Sequence, residues 1–352
     1  MSQTIQVGRR QVGLGNPVYI VAEVSANHNG SFEHAQKIVE AAKEVGADAV
    51  KLQTYTSDTI TIACDRQSFR IEGGTLWDGK TLHELYQEAY MPWEWQPKLK
   101  KAAEDLGMEC FSSAFDSSAV EFLETMNVPA HKVASFELVD LPLIQKMAST
   151  GKPLIMSTGM ATIEEIEEAV TTARNAGAKQ IALLKCTSAY PAPAEEMNLR
   201  TIPELGRRFD VPVGLSDHSM DVAVPVAAVS LGACLIEKHL TLSRAAGGPD
   251  SGFSLEPAEF KAMVGAVRTV ERALGAVHFG VSEREASSRA YRRSLFVVRD
   301  LKQGEKFTSD NVRSIRPGHG LHTRHLAEVL GKTAASDIVQ GTPVSWDLVS
   351  RT

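Results

Sequence analysis

The chain has 352 residues, 43% of them hydrophobic and 23% charged, with a formal net charge of −6 at pH 7. That length suits one large α/β domain plus a small one, and the composition excludes a fibrous repeat or a disordered chain. The acidic balance argues against nucleic-acid binding as a whole-chain role, and without a run of about 18 apolar residues no membrane span is expected.

Eight short apolar runs alternate with longer segments of helical period. In chain order the runs are 18–24, 47–52, 109–112, 132–135, 153–157, 181–186, 211–215 and 233–237. Runs apolar on both faces suit parallel strands covered by helices. The polar stretch 1–10 before them lacks the apolar core of a signal peptide. Ser31 can cap a first helix that ends before Gly46. A long segment, 54–91, separates the second run from a helix starting near Pro92 and Trp93, and carries Gly73, Gly74, Trp77, Gly79, Tyr86 and Tyr90. A connection this long predicts a lid or a substrate wall, the plain alternative being a decorative excursion. Further helices are expected over 140–150, from the capping box Thr162-Ile-Glu-Glu165 to near Gly177, over 220–231 and over 257–274. A glycine after each helix and a strand two or three residues later is the rhythm of a (β/α)8 TIM barrel; a doubly wound open sheet is the rival.

The predicted barrel domain covers 1–275, a polar linker 276–292 and a small domain 293–352. In the last, 295–298 reads as a strand, Gly304 as a turn, Thr308-Ser-Asp310 as a helix start, and 330–334 and 343–345 as further short elements. This segment carries nine Lys/Arg and six Asp/Glu, so +3 on a body of −9. Cys64, Cys110, Cys186 and Cys234 form no CxxC pair, and three lie in apolar runs. A reduced, cytoplasmic protein with buried thiols is expected.

Chemistry is expected at the C-terminal ends of barrel strands. Those ends carry Glu23, Lys51 and Gln53, Lys132 with Ser135 and Glu137, Ser157, Ser188 and Tyr190, Ser216 and His218, then Glu237 and His239. The cationic and hydroxylic group Lys51, Lys132, Ser135, Ser157, Ser188 and Ser216 suits a small, highly anionic ligand. The competing reading pairs the lysines with Glu23 or Glu137 as buried ion pairs. His218 and His239, on consecutive strands at equal height, form either a divalent-metal site or a hydrogen-bonded structural pair; an oxygen-rich setting would favour Mn²⁺ or Mg²⁺. A Schiff-base lysine and a nucleophilic Cys186 are the weaker readings, the latter because no histidine adjoins Cys186 in sequence.

At these residues the chain resembles the sialic acid synthase family. The matching blocks are Ala22-Glu-Val-Ser-Ala-Asn-His-Asn-Gly30, Ala47-Asp-Ala-Val-Lys-Leu-Gln53, Lys132-Val-Ala-Ser-Phe-Glu137, Ser157-Thr-Gly-Met160, Gly214-Leu-Ser-Asp-His218, Ile236-Glu-Lys-His239, Gly248-Pro-Asp250 and Arg316-Pro-Gly-His-Gly320. The resemblance implies a TIM barrel followed by an antifreeze-like (SAF) domain, in a homodimer whose C-terminal domain caps the partner's active site. It implies phosphoenolpyruvate among Lys51, Lys132, Ser135, Ser157, Ser188, Tyr190 and Ser216. It implies a divalent metal on His218 and His239, Glu23 near the reacting carbons, Glu137, Glu237 and Asp250 at the substrates, and Arg316 reaching in from the other subunit. Many family members carry Asn where Ser188 stands. The blocks at Ser25 and from Trp77 to Trp95 look most like those of pseudaminic acid synthases, which implies an acetamido sugar, a 2,4-diacetamido-2,4,6-trideoxy-altrose, as acceptor. The alternative is an N-acetylmannosamine-type sugar leading to sialic or legionaminic acid. Neither nucleic acid nor membrane is an expected partner.

Overall fold

The computed structural model describes residues 4–350. They divide into two compact units, one ending at Gly275 and one beginning at Ala276. Among the described residues no helix is long and apolar enough to cross a membrane.

The first unit opens with a hairpin of β1 (Ile5–Val7) and β2 (Arg10–Val12). Eight parallel strands follow: β3 (Tyr19–Glu23), β4 (Ala49–Thr54), β5 (Glu109–Ala114), β6 (His131–Val133), β7 (Leu154–Ser157), β8 (Ile181–Cys186), β9 (Val213–Asp217) and β10 (Leu235–His239). They pair in chain order, and β10 pairs with β3 to close the barrel. The eight-unit rhythm therefore gives the barrel and not the open sheet. Compared with the apolar runs, β4, β5, β9 and β10 each extend two residues further toward their C-terminal ends, whereas β3 and β6 stop one and two residues short.

The helices start where short polar side chains can take orphan backbone N–H groups. Ser31 accepts from the His34 amide at 3.2 Å to open Phe32–Glu44. Asp140 accepts from the Leu143 amide at 3.1 Å to open Leu141–Ser149, and Thr162 and Glu165 form the capping box of Ile163–Asn175. Pro257 begins the last barrel helix, Pro257–Leu274. Their apolar faces and the strands form one continuous core.

Two parts of this unit differ from the sequence reading. The polar N-terminus, to which the sequence reading gave no element, forms this hairpin. Ile5, Val7 and Val12 of the hairpin are buried, and Arg9 N donates to Glu109 Oε1 at 3.0 Å, at the start of β5. The hairpin thus covers the N-terminal end of the barrel, where Glu109 also stands beside Gly8 at a positive φ that a side chain could not share. The long connection after β4 is not a bare loop either. It holds the helices Ser57–Ile60 and Leu82–Ala89, each opened by a threonine capping box, at Thr56 and Thr81.

The second unit contains β11 (Ser294–Val297), antiparallel to β12 (Val312–Ile315), over a small core that includes Leu295, Val297, Phe307, Val312 and Val344. The expected helix start at Thr308 is a turn. Asn311 Oδ1 accepts from the Thr308 amide at 2.8 Å and Asn311 Nδ2 donates to the Lys306 carbonyl at 3.0 Å, so the asparagine side chain closes the turn and hands the chain to β12. Short isolated bridges at Thr333, Ala334 and Pro343 stand where further small elements were expected. The polar segment before β11 contains a helix, Glu283–Ala286, capped by Ser282.

Candidate active site

The strands alternate inward and outward, and that period selects which polar residues meet. On β9 and β10, Asp217 and Lys238 face outward and form a fully buried ion pair at 2.6 Å. Their neighbours Ser216, His218, Glu237 and His239 turn inward, to a cavity of about 480 Å³ at the C-terminal ends of the strands. Lys51, Lys132, Ser135, Ser157, Glu137 and Tyr190 line the same cavity, as does Asp250 from the loop after β10.

The floor is charged and almost dry. Lys51 Nζ lies 2.8 Å from Glu23 Oε2 and 3.4 Å from Glu237 Oε1, and donates to Ser113 Oγ at 3.1 Å. Burial alone would depress this ammonium; the two carboxylates outweigh that and hold it above its ordinary value. Glu23 is fully buried, which pushes its carboxyl up to about 7 despite Lys51. Glu237 also suffers burial, yet Lys132 and Lys51 keep it below the usual range. Ser216 Oγ donates to Glu237 Oε1 at 3.1 Å.

Lys132 is different. It is 1% exposed and donates to Ser157 Oγ at 2.6 Å and to the Val133 carbonyl at 2.8 Å. Among the described residues no carboxylate stands within ion-pair distance of it, and burial depresses its ammonium, with Glu237 only partly offsetting. The ion-pair reading thus holds for Lys51 with Glu23, and fails for Lys132. Glu137 is not a lysine partner: burial lifts its carboxyl to about 7, and its Oε2 is buried without a hydrogen bond.

His218 and His239 face each other with ring centroids 5.4 Å apart. The His218 Nδ1–H donates to the Thr187 carbonyl at 2.9 Å, which leaves Nε2 as an available lone pair. Burial keeps His239 well below its ordinary pKa, hence neutral, and its Nδ1 is buried without a partner. Burial lowers the His218 imidazole too, but Cys186 and the Thr187 carbonyl outweigh it and hold it above its ordinary value; neutral His239, with its unmet nitrogen, is the ring that suits a divalent cation. Among the described residues no group of three or more His, Cys, Asp or Glu forms a cage, so any ion here would keep open positions for other ligands. Cys186 lacks a histidine in sequence but has one in space: its Sγ is 3.9 Å from His218 Nδ1. Burial alone would raise the Cys186 thiol, but His218, Ser135 and Lys132 outweigh it and bring it down to about 7; the same His218 nitrogen also donates to the Thr187 carbonyl.

A hydrogen-bonded chain ties the β3 and β4 ends to the β10 loop. Gln53 Nε2 donates to Glu23 Oε1 and to Ser25 Oγ, both at 2.9 Å, and Ser25 Oγ donates to Asp250 Oδ2. Ser25 holds a left-handed backbone (φ 46°), which this network stabilises. Ser135 Oγ accepts from the Gly159 amide at 3.2 Å; a Cβ at Gly159 would collide with the hydroxyls of Ser135 and Ser188, so glycine lets these three segments meet.

Most predicted site residues therefore converge. Glu23 lies beneath the cavity behind Lys51, and Ser188 sits behind Ser135 rather than on the lining. Arg316 is exposed just beyond β12, in the second unit. Ser113 was missed. Its run was cut at residue 112, although its alternation with Phe111 and its register against Lys132 marked it as inward-facing. Phe253 was also missed: it packs edge-on to His239 at 4.9 Å and beside Tyr190 at 4.9 Å, and a lone aromatic after a glycine carries no signal of that role.

The segment after β4 builds one wall. Ile60, Ile71, Trp77, Leu82 and Leu85 line the cavity, and Trp77 Nε1 donates to the Pro249 carbonyl at 2.9 Å. The segment thus stands as a wall of the cavity.

Sequence comparison agrees with this architecture. The profile of the NeuB family matches residues 38–279, and that of the SAF domain residues 292–350. The chain is 46% identical to a pseudaminic acid synthase of Campylobacter jejuni, over 92% of this chain and 94% of that protein. It is 44% identical to a pseudaminic acid synthase of Helicobacter pylori, over 95% and 98%. Among solved structures, an N-acetylneuraminic acid synthetase of Leptospira borgpetersenii in complex with citrate is similar, with TM-score 0.72 and 30% identity over 82% of this chain and 95% of that one.

Proposed function

The chain is an enzyme of the NeuB family, and from that premise we propose that it condenses phosphoenolpyruvate with 2,4-diacetamido-2,4,6-trideoxy-β-L-altropyranose to give a nine-carbon 2-keto acid and phosphate. The observation that carries this reading is Lys132, a dry ammonium with no carboxylate partner beside a second ammonium and two serine hydroxyls. Such a cluster is costly alone and is relieved by a small polyanion. The phosphate and carboxylate of phosphoenolpyruvate have that charge and size.

Lys51 and Lys132 then balance the phosphate, with Ser113 and Ser157 as donors and Ser135, Ser216 and Tyr190 around the enol carboxylate, Ser188 backing Ser135. His218 and His239 would hold Mn²⁺ or Mg²⁺, which when bound supplies a Lewis acid to the sugar aldehyde. The enol carbon C3 attacks the aldehyde carbon, water adds at C2, and phosphate leaves with C–O cleavage. Glu23, level with His239 in the barrel and ion-paired to Lys51 through Oε2, would answer the charge that develops at C2 from beneath that lysine. Glu137, Glu237 and Asp250 face the sugar. In a homodimer Arg316 would reach the cavity of the second copy.

Phosphate release from phosphoenolpyruvate tests the reading, with a panel of acetamido sugars, with Mn²⁺ or Mg²⁺ and in chelator. Release is expected only with sugar and metal together, with solvent ¹⁸O in the keto acid and none in phosphate. Lys132→Met is expected to raise the phosphoenolpyruvate requirement about 100-fold, on the scale of a lost buried charged contact. Label in phosphate, or a borohydride-trapped substrate adduct on a lysine, would overturn the mechanism. Release with N-acetylmannosamine and not with the altrose would move the chain to the sialic or legionaminic reaction.

A further inference from the structure

The wall that follows β4 has a composition the reaction does not require. Its cavity-facing side chains Ile60, Ile71, Leu82 and Leu85 are aliphatic, and Trp77 adds an indole ring. Apart from the Tyr55 and Tyr86 hydroxyls, polar groups of this wall are engaged within the protein. The Trp77 indole N–H donates to the Pro249 carbonyl at 2.9 Å, and Thr75 Oγ1 donates to Asp78 Oδ1 at 2.6 Å. The opposite side of the same cavity is the reverse, with Lys51, Lys132, Glu237 and the two imidazoles. The distance between the two sides is short. The Trp77 ring is 5.6 Å from Tyr190, and Tyr190 is 4.5 Å from His218. A hexose with its aldehyde carbon at the imidazoles therefore extends its far carbons along the aliphatic wall.

We infer that this wall, through Ile71, Trp77 and Leu82, determines sugar specificity by receiving the methyl end of a 6-deoxy acetamido sugar and disfavouring a 6-hydroxyl. This rests on the reaction proposed above. A hydroxyl pressed against Ile71, Trp77 and Leu82 gives up its water and finds no free partner among them, whereas a methyl loses nothing and buries apolar surface. An aliphatic pocket discriminates against an added hydroxyl by about 100-fold, so the effect is measurable without being absolute.

The test compares two acceptors that differ only at C6: the 2,4-diacetamido-2,4,6-trideoxy sugar and its 6-hydroxy counterpart, each with phosphoenolpyruvate and Mn²⁺, read as kcat/KM for phosphate release. The unaltered enzyme is expected to prefer the 6-deoxy sugar by about 100-fold. Ile71→Thr and Leu82→Asn, near-constant in size, place a hydrogen-bonding group on the wall. Each is expected to narrow the preference at least about fivefold, mainly by improving use of the 6-hydroxy sugar. Equal use of both sugars by the unaltered enzyme would overturn the inference and leave the reaction standing, and needs no variant. An unchanged preference in both variants would overturn it too. No turnover with either sugar would overturn the proposed reaction and this inference with it.

Discussion

At the scale of single residues, the cavity is a set of ionisable groups displaced by burial and by one another. Lys51 and Lys132 show how close neighbours diverge: Lys51 has two carboxylates at hand, and Lys132 has only a hydroxyl and a carbonyl. Glu137 carries the clearest consequence for stability. Burial lifts its carboxyl from 4.5 to about 7, so the fold binds a proton that the unfolded chain sheds above pH 4.5. Its contribution to stability is whole below about pH 4.5 and is lost as pH rises through about 7, amounting to roughly 3 kcal/mol. Glu137→Gln keeps a neutral side chain at every pH. It is expected to melt higher than the unaltered protein at pH 8 and about level with it at pH 4.5, while sugar use falls. Equal shifts at both pH values in thermal melts would remove burial of charge as the cause. Stability given up at one residue in this way is the usual mark of a functional position.

At the scale of elements, the segment after β4 is ordered by local chemistry. Asp78 accepts from the amides of Gly74 and Thr75, each at 2.8 Å, and from Thr75 Oγ1, which folds the tip that presents Trp77. Those bonds hold the Asp78 carboxyl down at about 2, so the tip keeps its form across the working pH range. Asp78→Ala is expected to speed amide hydrogen exchange at residues 71–79 and to raise KM for the sugar several-fold, with kcat changed less, because positioning is lost and the reacting groups are untouched. Unchanged exchange there would mean that the Trp77 to Pro249 contact alone holds the tip. This wall was legible as a long, aromatic- and glycine-bearing connection, but its helices were not. Each is short, and the capping boxes at Thr56 and Thr81 precede runs too brief to show a helical period.

At the scale of the whole molecule, Arg316 belongs to a unit separate from the one that holds the cavity. Arg316 follows β12, in a unit whose polar turns are held by Asn311 and by Ser294, which donates to the Pro317 carbonyl at 2.6 Å and accepts from the Gly320 amide at 2.9 Å. Those bonds shape the Arg316-Pro-Gly turn without engaging the guanidinium. If Arg316 serves a second copy, Arg316→Ala and His218→Ala proteins, each inactive, should regain about a quarter of full activity when mixed dimers form, since half the dimers would be mixed and each would carry one complete site. No recovery in co-expressed, doubly tagged dimers would show that Arg316 does not act across subunits.

The sequence by itself determined the eight alternating units, the caps at Ser31 and Thr162, the strand-end placement of Lys51, Lys132, His218 and His239, and the family. These are local or near-local properties: apolar runs, capping residues a few positions ahead of helices, and ordered motifs. Only the tertiary structure decided which polar residues share the cavity. Strand alternation and the closure of β10 on β3 send Glu237 and His239 inward while Lys238 turns out to Asp217, and bring Glu23 beside Lys51 but leave Lys132 without a carboxylate. Partners set by register lie tens to hundreds of residues apart, and no local pattern encodes them, because side-chain direction depends on where each strand begins and on which neighbour it meets.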